Sequence, residues 1–194
     1  MMKAFPALLL LCVFCLSGGC SSKPIPEEER PVTWGQPVQS TTLGNFYKIS
    51  PDLFRSEYPA QEDIADIKEQ GIKSIINLRS SNDRSEVFQA EGLTTYWHKT
   101  NAGSISQQDM VDVFKFFEKS PKPALIHCWH GSDRTGFIVA GYRIIYQGWS
   151  KEEAIRELRQ GGYGFHEIFF GNIIDTLNDI DVEAMRKEIG VSNS

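Results

Sequence analysis

The sequence predicts an α/β fold: a central mixed sheet of four to five strands with helices on both faces. Three observations point there. From Asn45 onward short β-like runs alternate with helical patterns. Two of those runs, Ser74-Ile75-Ile76-Asn77-Leu78 and Ala124-Leu125-Ile126-His127, are continuous enough to be buried on both faces. The 194 residues show no internal repeat and correspond to about one domain at ~150 residues per domain.

The elements follow in order. Phe46 to Ile49 and Leu53 to Ser56, separated by Ser50-Pro51-Asp52, form a predicted hairpin. Gln61 to Gln70 places Ile64, Ile67 and Lys68 at helical spacing and stops at Gly71. After the strand at Ser74 to Leu78 comes a weaker helix from Asp83 to Ala90, ended by Gly92, and then a strand at Thr94 to His98. Ser106 to Lys119 is amphipathic, with Met110, Val111, Phe114 and Phe117 on one side. Beyond the strand ending at His127, helices are expected at Thr135 to Tyr146, at Ser150 to Gln160 with a capping box of Ser150 and Glu153, and from about His166 to Leu177.

Composition narrows the class. Hydrophobic residues at 41% and charged residues at 23% are globular values, which exclude disorder and a coiled coil. Twenty Lys plus Arg against twenty-five Asp plus Glu leave a net charge of -5, so no global basic field holds nucleic acid or an anionic bilayer. An anion must be bound locally.

The N-terminus reads as a targeting segment. Lys3 precedes an apolar run from Ala4 to Leu16, shorter than the ~20 residues of a membrane span, and small residues follow. Gly18 and Gly19 before Cys20 resemble a bacterial lipobox, with the usual Leu displaced to Leu16, so lipidation of Cys20 is expected beside a plain cleaved signal and an uncleaved anchor. The expected organisation is a signal peptide at 1–19, a lipidated Cys20 and flexible, Pro-rich tether at 20–42, a catalytic domain at 43–180 and a C-terminal helix or tail at 181–194. Cys12 and Cys15 lie in the apolar run, leaving Cys128 as the one thiol of the mature domain.

The chemistry concentrates in Cys128-Trp129-His130-Gly131-Ser132-Asp133-Arg134-Thr135-Gly136, between a strand and an apolar helix. A strand, a tight loop and a helix N-terminus make an anion cradle, because loop N–H groups and the positive end of the helix dipole converge on one point. The reactive form of cysteine is the thiolate, which a helix N-terminus and a nearby guanidinium favour. Arg134 can grip two phosphoryl oxygens in a geometry that Lys does not reproduce. Gly131 allows close approach of the backbone, and Thr135 is placed to hydrogen-bond the sulfur. Trp129, His130, Gly131, Ser132, Asp133 and Arg134 are therefore the expected phosphate-binding residues.

His-Cys-x5-Arg-Thr-Gly at 127 to 136 resembles the signature loop of cysteine-dependent protein tyrosine and dual-specificity phosphatases. Leu53 to Ser56, Lys73 to Leu78, Tyr142 to Trp149 and Gln160 to Gly164 extend the likeness to the small bacterial periplasmic type, with the atypical plant and fungal group more distant. The resemblance implies Cys128 as nucleophile forming a phosphocysteine, Arg134 as phosphoryl clamp, and no metal or organic cofactor. It also implies an Asp donating a proton to the leaving oxygen from the stretch Lys99 to Ile105, near Gly103, where no carboxylate stands. Asp133, Asp109, Asp112 and His98 are the candidate replacements, beside no acid at all. An ionised Asp133 would be repelled by a phosphate dianion, which favours the protonated form an acid needs.

The expected function is thus exported hydrolysis of phosphotyrosine, with phosphoserine or phosphothreonine as further substrates, in a phosphorylated protein. Two alternatives stand: hydrolysis of inositol polyphosphates or another small phosphorylated metabolite, for which only Lys99 and Arg79 offer extra charge, and phosphate binding without turnover. Arg55 is expected either to pair with an acid or to attract substrate, and His127 to orient the loop from the core.

Overall fold

The computed structural model describes residues 23–191, and the signal segment at 1–19 and Cys20 lie outside them. Six strands form one sheet: β1 (Gln36–Pro37), β2 (Tyr47–Lys48), β3 (Leu53–Ser56), β4 (Ser74–Asn77), β5 (Thr94–Trp97) and β6 (Ala124–His127), in the spatial order β1-β2-β3-β6-β4-β5. The hairpin residues pair antiparallel, Tyr47 opposite Arg55, whereas β3, β6, β4 and β5 run parallel. β3, β4 and β6 are buried at every position, as their uninterrupted runs require.

Side-chain alternation along these strands feeds two cores. Leu53, Ile76 and Ile126 face one side, against α3 (Gln107–Lys119), α4 (Asp133–Gln147), α5 (Lys151–Gln160), α7 (Asn172–Asp179) and α8 (Val182–Ile189). Phe54, Ile75 and Leu125 face the other, against α1 (Ile64–Glu69) and α2 (Ser85–Ala90). The expected Ser150/Glu153 box forms on α5, and a second box, Ser106/Asp109, caps α3. The helix expected from His166 to Leu177 is two, α6 (Glu167–Phe170) and α7, parted at Gly171.

Of the flexible tether expected at 20–42, the stretch 25–37 is instead docked on the domain. The Ile25 N–H donates to the Gln160 carbonyl at 3.0 Å and the Gly35 N–H to Glu157 at 2.7 Å. Arg30 packs on the rings of Tyr47 and Tyr163 at 5.0 and 5.5 Å, Trp34 is buried, and Gln36–Pro37 adds to the sheet edge, where proline can sit without donating to the ladder. Among the described residues no helix is long and apolar enough to cross a membrane.

Candidate active site

The site lies at the carboxyl ends of the parallel strands, the usual place for ligands in an open α/β sheet. β6 sits between β3 and β4, with His127 in register with both Ser56 and Asn77. The chain leaves the sheet at Cys128, which is 2% exposed, turns through 129–132, and enters α4 at Asp133.

Every carbonyl from Cys128 to Ser132 is occupied by a hydrogen bond directed away from the turn. That of Cys128 accepts from His127 Nδ1 (3.0 Å), that of Trp129 from the Tyr58 N–H (3.0 Å), and that of His130 from Asn45 Nδ2 (2.9 Å). That of Gly131 accepts from Arg55 Nη2, and that of Ser132 from the Gly136 N–H (2.9 Å). In a trans peptide the N–H points opposite to the C=O, so carbonyls turned outward turn the amides inward. The result is a set of donors turned into the loop beside Cys128, with Arg134 half-buried at the start of α4 and its Nη1 donating to the Leu78 carbonyl at 3.4 Å. Gly131 is required by the turn: its φ is +71°, and a Cβ there would stand 2.5 Å from the Ser56 carbonyl oxygen.

Behind the loop runs a buried relay of charge. Arg55 is fully buried, lies over the Tyr163 ring at 3.7 Å and holds the Gly131 carbonyl, so its role is to brace the loop rather than to meet substrate. Burial pushes its guanidinium below the ordinary value, opposed by Tyr163, Glu157 and Cys128. The Tyr163 hydroxyl donates to Glu157 (2.8 Å), which binds Arg143 through two contacts at 2.7 and 2.9 Å. His127 is also fully buried, and burial lowers it to about 4, so it is neutral; its Nδ1–H holds the Cys128 carbonyl while Tyr58 stacks on the ring at 5.6 Å.

In front opens a cleft of about 800 Å³, lined among others by Lys99, Trp129, His130, Arg134, His166 and Phe169. Trp129 forms its rim, 52% exposed and stacked on Tyr58 at 5.8 Å. Arg79, one of the two expected extra cations, is spent elsewhere: it pairs with Asp83 at 2.7 Å and lies over Tyr58 at 3.6 Å. The Thr135 hydroxyl is buried without a hydrogen-bond partner, so the expected bond to the Cys128 sulfur is not made.

The structure separates the candidate acids. Burial of Asp109 works against ionisation, but hydrogen bonds from Ser106 and His98 outweigh it and hold the carboxyl below its ordinary value. Asp109 is thus an ionised helix cap that also occupies His98, at 2.9 Å, and neither lines the cleft. Asp112 accepts from Gln108 at 3.0 Å on α3, also away from the cleft. Asp133 lines the cleft but accepts the His166 N–H at 2.8 Å and His166 Nδ1 at 3.0 Å. His166, Tyr58 and Asn45 were not legible as site residues: each lies outside the loop motif and reaches it only through the fold. Asn45 carried a local signal that only backbone geometry reveals, a positive φ of 53°.

This geometry agrees with the relatives found. Residues 41–184 match the model of the tyrosine phosphatase family. The dual specificity protein phosphatase TpbA of Pseudomonas aeruginosa is 31% identical over 166 residues, covering 83% of this chain and 74% of TpbA. The crystal structure of a cysteine-to-serine variant of P. aeruginosa TpbA in complex with phosphotyrosine superposes with a TM-score of 0.73 at 28% identity, covering 84% of this chain and 99% of that one. The inositol diphosphatase DSP3 of Arabidopsis thaliana is 26% identical over 125 residues, covering 60% of this chain and 61% of its own. With a cysteine, five residues and an arginine in one loop between strand and helix, and with that breadth of likeness, the chain belongs to the tyrosine phosphatase family.

Proposed function

We propose that the protein is an exported phosphatase that cleaves phosphotyrosine monoesters through a phosphocysteine at Cys128, with phosphoserine and phosphothreonine as slower substrates. The observation that carries the reading is the outward turn of five successive carbonyls, which turns the amides of 129–133 into the loop that runs from Cys128 to Arg134. The amides of 129–134 and the Arg134 fork bind the equatorial phosphoryl oxygens, the Cys128 thiolate attacks phosphorus in line with the ester oxygen, and water then displaces the sulfur.

The cleft favours an aromatic phosphate over a polyphosphorylated ring. Trp129, Phe169 and Phe170 offer apolar walls, while Lys99 and Arg134 are the cations lining it and Arg79 is already paired. The phosphotyrosine complex of TpbA is consistent with this preference. Export and attachment rest on the first twenty residues: the apolar run directs secretion and Cys20 carries lipid.

The test is turnover of a phosphotyrosine peptide and an inositol polyphosphate by the purified protein and by Cys128→Ser. The expected result is phosphotyrosine hydrolysis by the wild type, loss of turnover in the variant, and retained phosphate binding by it. Near wild-type turnover in Cys128→Ser rejects the covalent route, and preferential use of the inositol phosphate rejects the substrate. For location, Cys20→Ala should leave the membrane fraction; an unchanged mass and fraction reject lipidation.

A further inference from the structure

We propose that His166 is the proton donor to the leaving oxygen, with Asp133 as the residue that positions it. The inference rests on the phosphocysteine reading above and supplies the acid absent from Lys99 to Ile105. The Asp133 carboxylate grips His166 twice, through the backbone N–H at 2.8 Å and through Nδ1 at 3.0 Å. That fixes the ring orientation and the tautomer: Nδ1–H points at the carboxylate, and Nε2 lies on the opposite edge of a side chain that is 47% exposed beside the cleft. Asp133 itself is 11% exposed in its side chain, with both oxygens engaged as acceptors, which leaves it poorly placed to give a proton.

Position separates this pair from the other histidines. His98 presents Nε2 to Asp109, outside the cleft. His127 is buried and neutral. His130 lines the cleft with its ring 6.3 Å from that of His166, but among the described residues no carboxylate pairs with its ring as Asp133 does with His166. The titratable and charged groups near His166 are Asp133 from α4, His130 and Arg134 from the loop and helix start, Lys99 from the cleft lining, and the Arg159–Glu167 pair at 2.8 Å from α5 and α6.

The step balances. The Cys128 thiolate forms the S–P bond as the P–O bond of the ester breaks, and the departing oxygen takes the proton from Nε2 of the imidazolium. Neutral His166 then accepts a proton from the water that attacks phosphocysteine, the thiolate leaves, and inorganic phosphate and imidazolium are regenerated. A positioned acid of this kind contributes roughly 10²–10⁴-fold when the leaving group needs a proton.

The experiment compares phenyl phosphate, whose phenol is about as basic as tyrosine at roughly 10, with p-nitrophenyl phosphate, whose phenolate leaves readily. In His166→Gln, phenyl phosphate turnover should fall roughly 10²-fold or more while the nitrophenyl ester falls only several-fold. The wild type should lose kcat/KM for phenyl phosphate on the basic side of its pH profile, and the variant should lack that basic limb. Asp133→Asn should show a weaker form of the same leaving-group dependence. An equal loss on both esters in His166→Gln, or no loss, overturns the proposal. So does a leaving-group dependence confined to Asp133→Asn or to His130→Gln, which would move the donor there. Cys128→Ser separates the layers: if it retains turnover the covalent reading fails, whereas if it is inactive and His166→Gln is insensitive to leaving group, only the present inference fails.

Discussion

The two sides of the loop 128–134 are built on opposite principles. Behind it the polar groups are buried: Arg55 and His127 are fully buried, and the Arg143–Glu157 pair is 2% exposed on each partner. In front, Trp129, His130 and His166 remain open to the cleft, and Arg134 is only half-buried. The back therefore determines whether the cradle exists, and the front determines what it does. Substitutions in front should change rate with little change in stability, and substitutions behind should do the reverse.

The sharpest separation in front is Arg134→Lys. The charge remains but the two-pronged clamp is lost, so kcat/KM for an aryl phosphate should fall roughly 10²–10³-fold, with the melting temperature nearly unchanged. Steady-state kinetics and thermal unfolding of the same preparation check both halves, and unaltered kinetics would break the comparison.

Behind, Glu157→Gln leaves Arg143 buried beside a neutral amide. Stripping one partner from a buried pair costs roughly 3–5 kcal/mol, which for a domain of this size lowers the melting temperature by roughly 6–20 °C at about 2–4 °C per kcal/mol. The rate per folded molecule should change several-fold at most. A larger loss of rate than of stability would show that the relay through Tyr163 and Arg55 reaches the chemistry.

His127 adds a pH dependence with a definite sign. Its folded value of about 4 lies below the ordinary 6.5, so between these values the unfolded chain binds more protons than the native one. Stability is complete above pH 6.5 and falls by about 3 kcal/mol as pH drops toward 4. Unfolding temperatures across this window should fall more steeply for the wild type than for His127→Asn, which keeps a donor for the Cys128 carbonyl. Parallel curves would mean that the ring is not the titrating group.

The smallest effect distinguishes the two His–Asp pairs. Asp109→Asn weakens the cap of α3 and should cost about 1 kcal/mol, with equal effects on phenyl and nitrophenyl phosphate. A leaving-group dependence there would transfer the acid role from the His166–Asp133 pair to His98–Asp109.

Legibility follows the range of the interactions. The buried strands, the amphipathic α3, the box on α5 and the signature loop are encoded within about ten consecutive residues, and the structure reproduces them. What escaped is held by contacts far apart in sequence. Gly35 meets Glu157, Asn45 meets His130, and Asp133 meets His166, partners that no local period announces. The segment 25–37 reads as a linker because it is polar and carries three prolines, yet an edge strand tolerates proline, and a buried Trp34, a stacked Arg30 and the hydrogen bonds of Ile25 and Gly35 dock it.

The central claim is that the phosphoryl group passes through the Cys128 sulfur. Rapid denaturing quench during turnover of a phosphotyrosine peptide, followed by mass analysis of the peptide containing residue 128, tests it directly. The expected result is one added phosphoryl group on Cys128 that disappears once substrate is exhausted and is never formed by Cys128→Ser. Turnover with no adduct at any quench time, or an adduct on another residue that persists in Cys128→Ser, would contradict it.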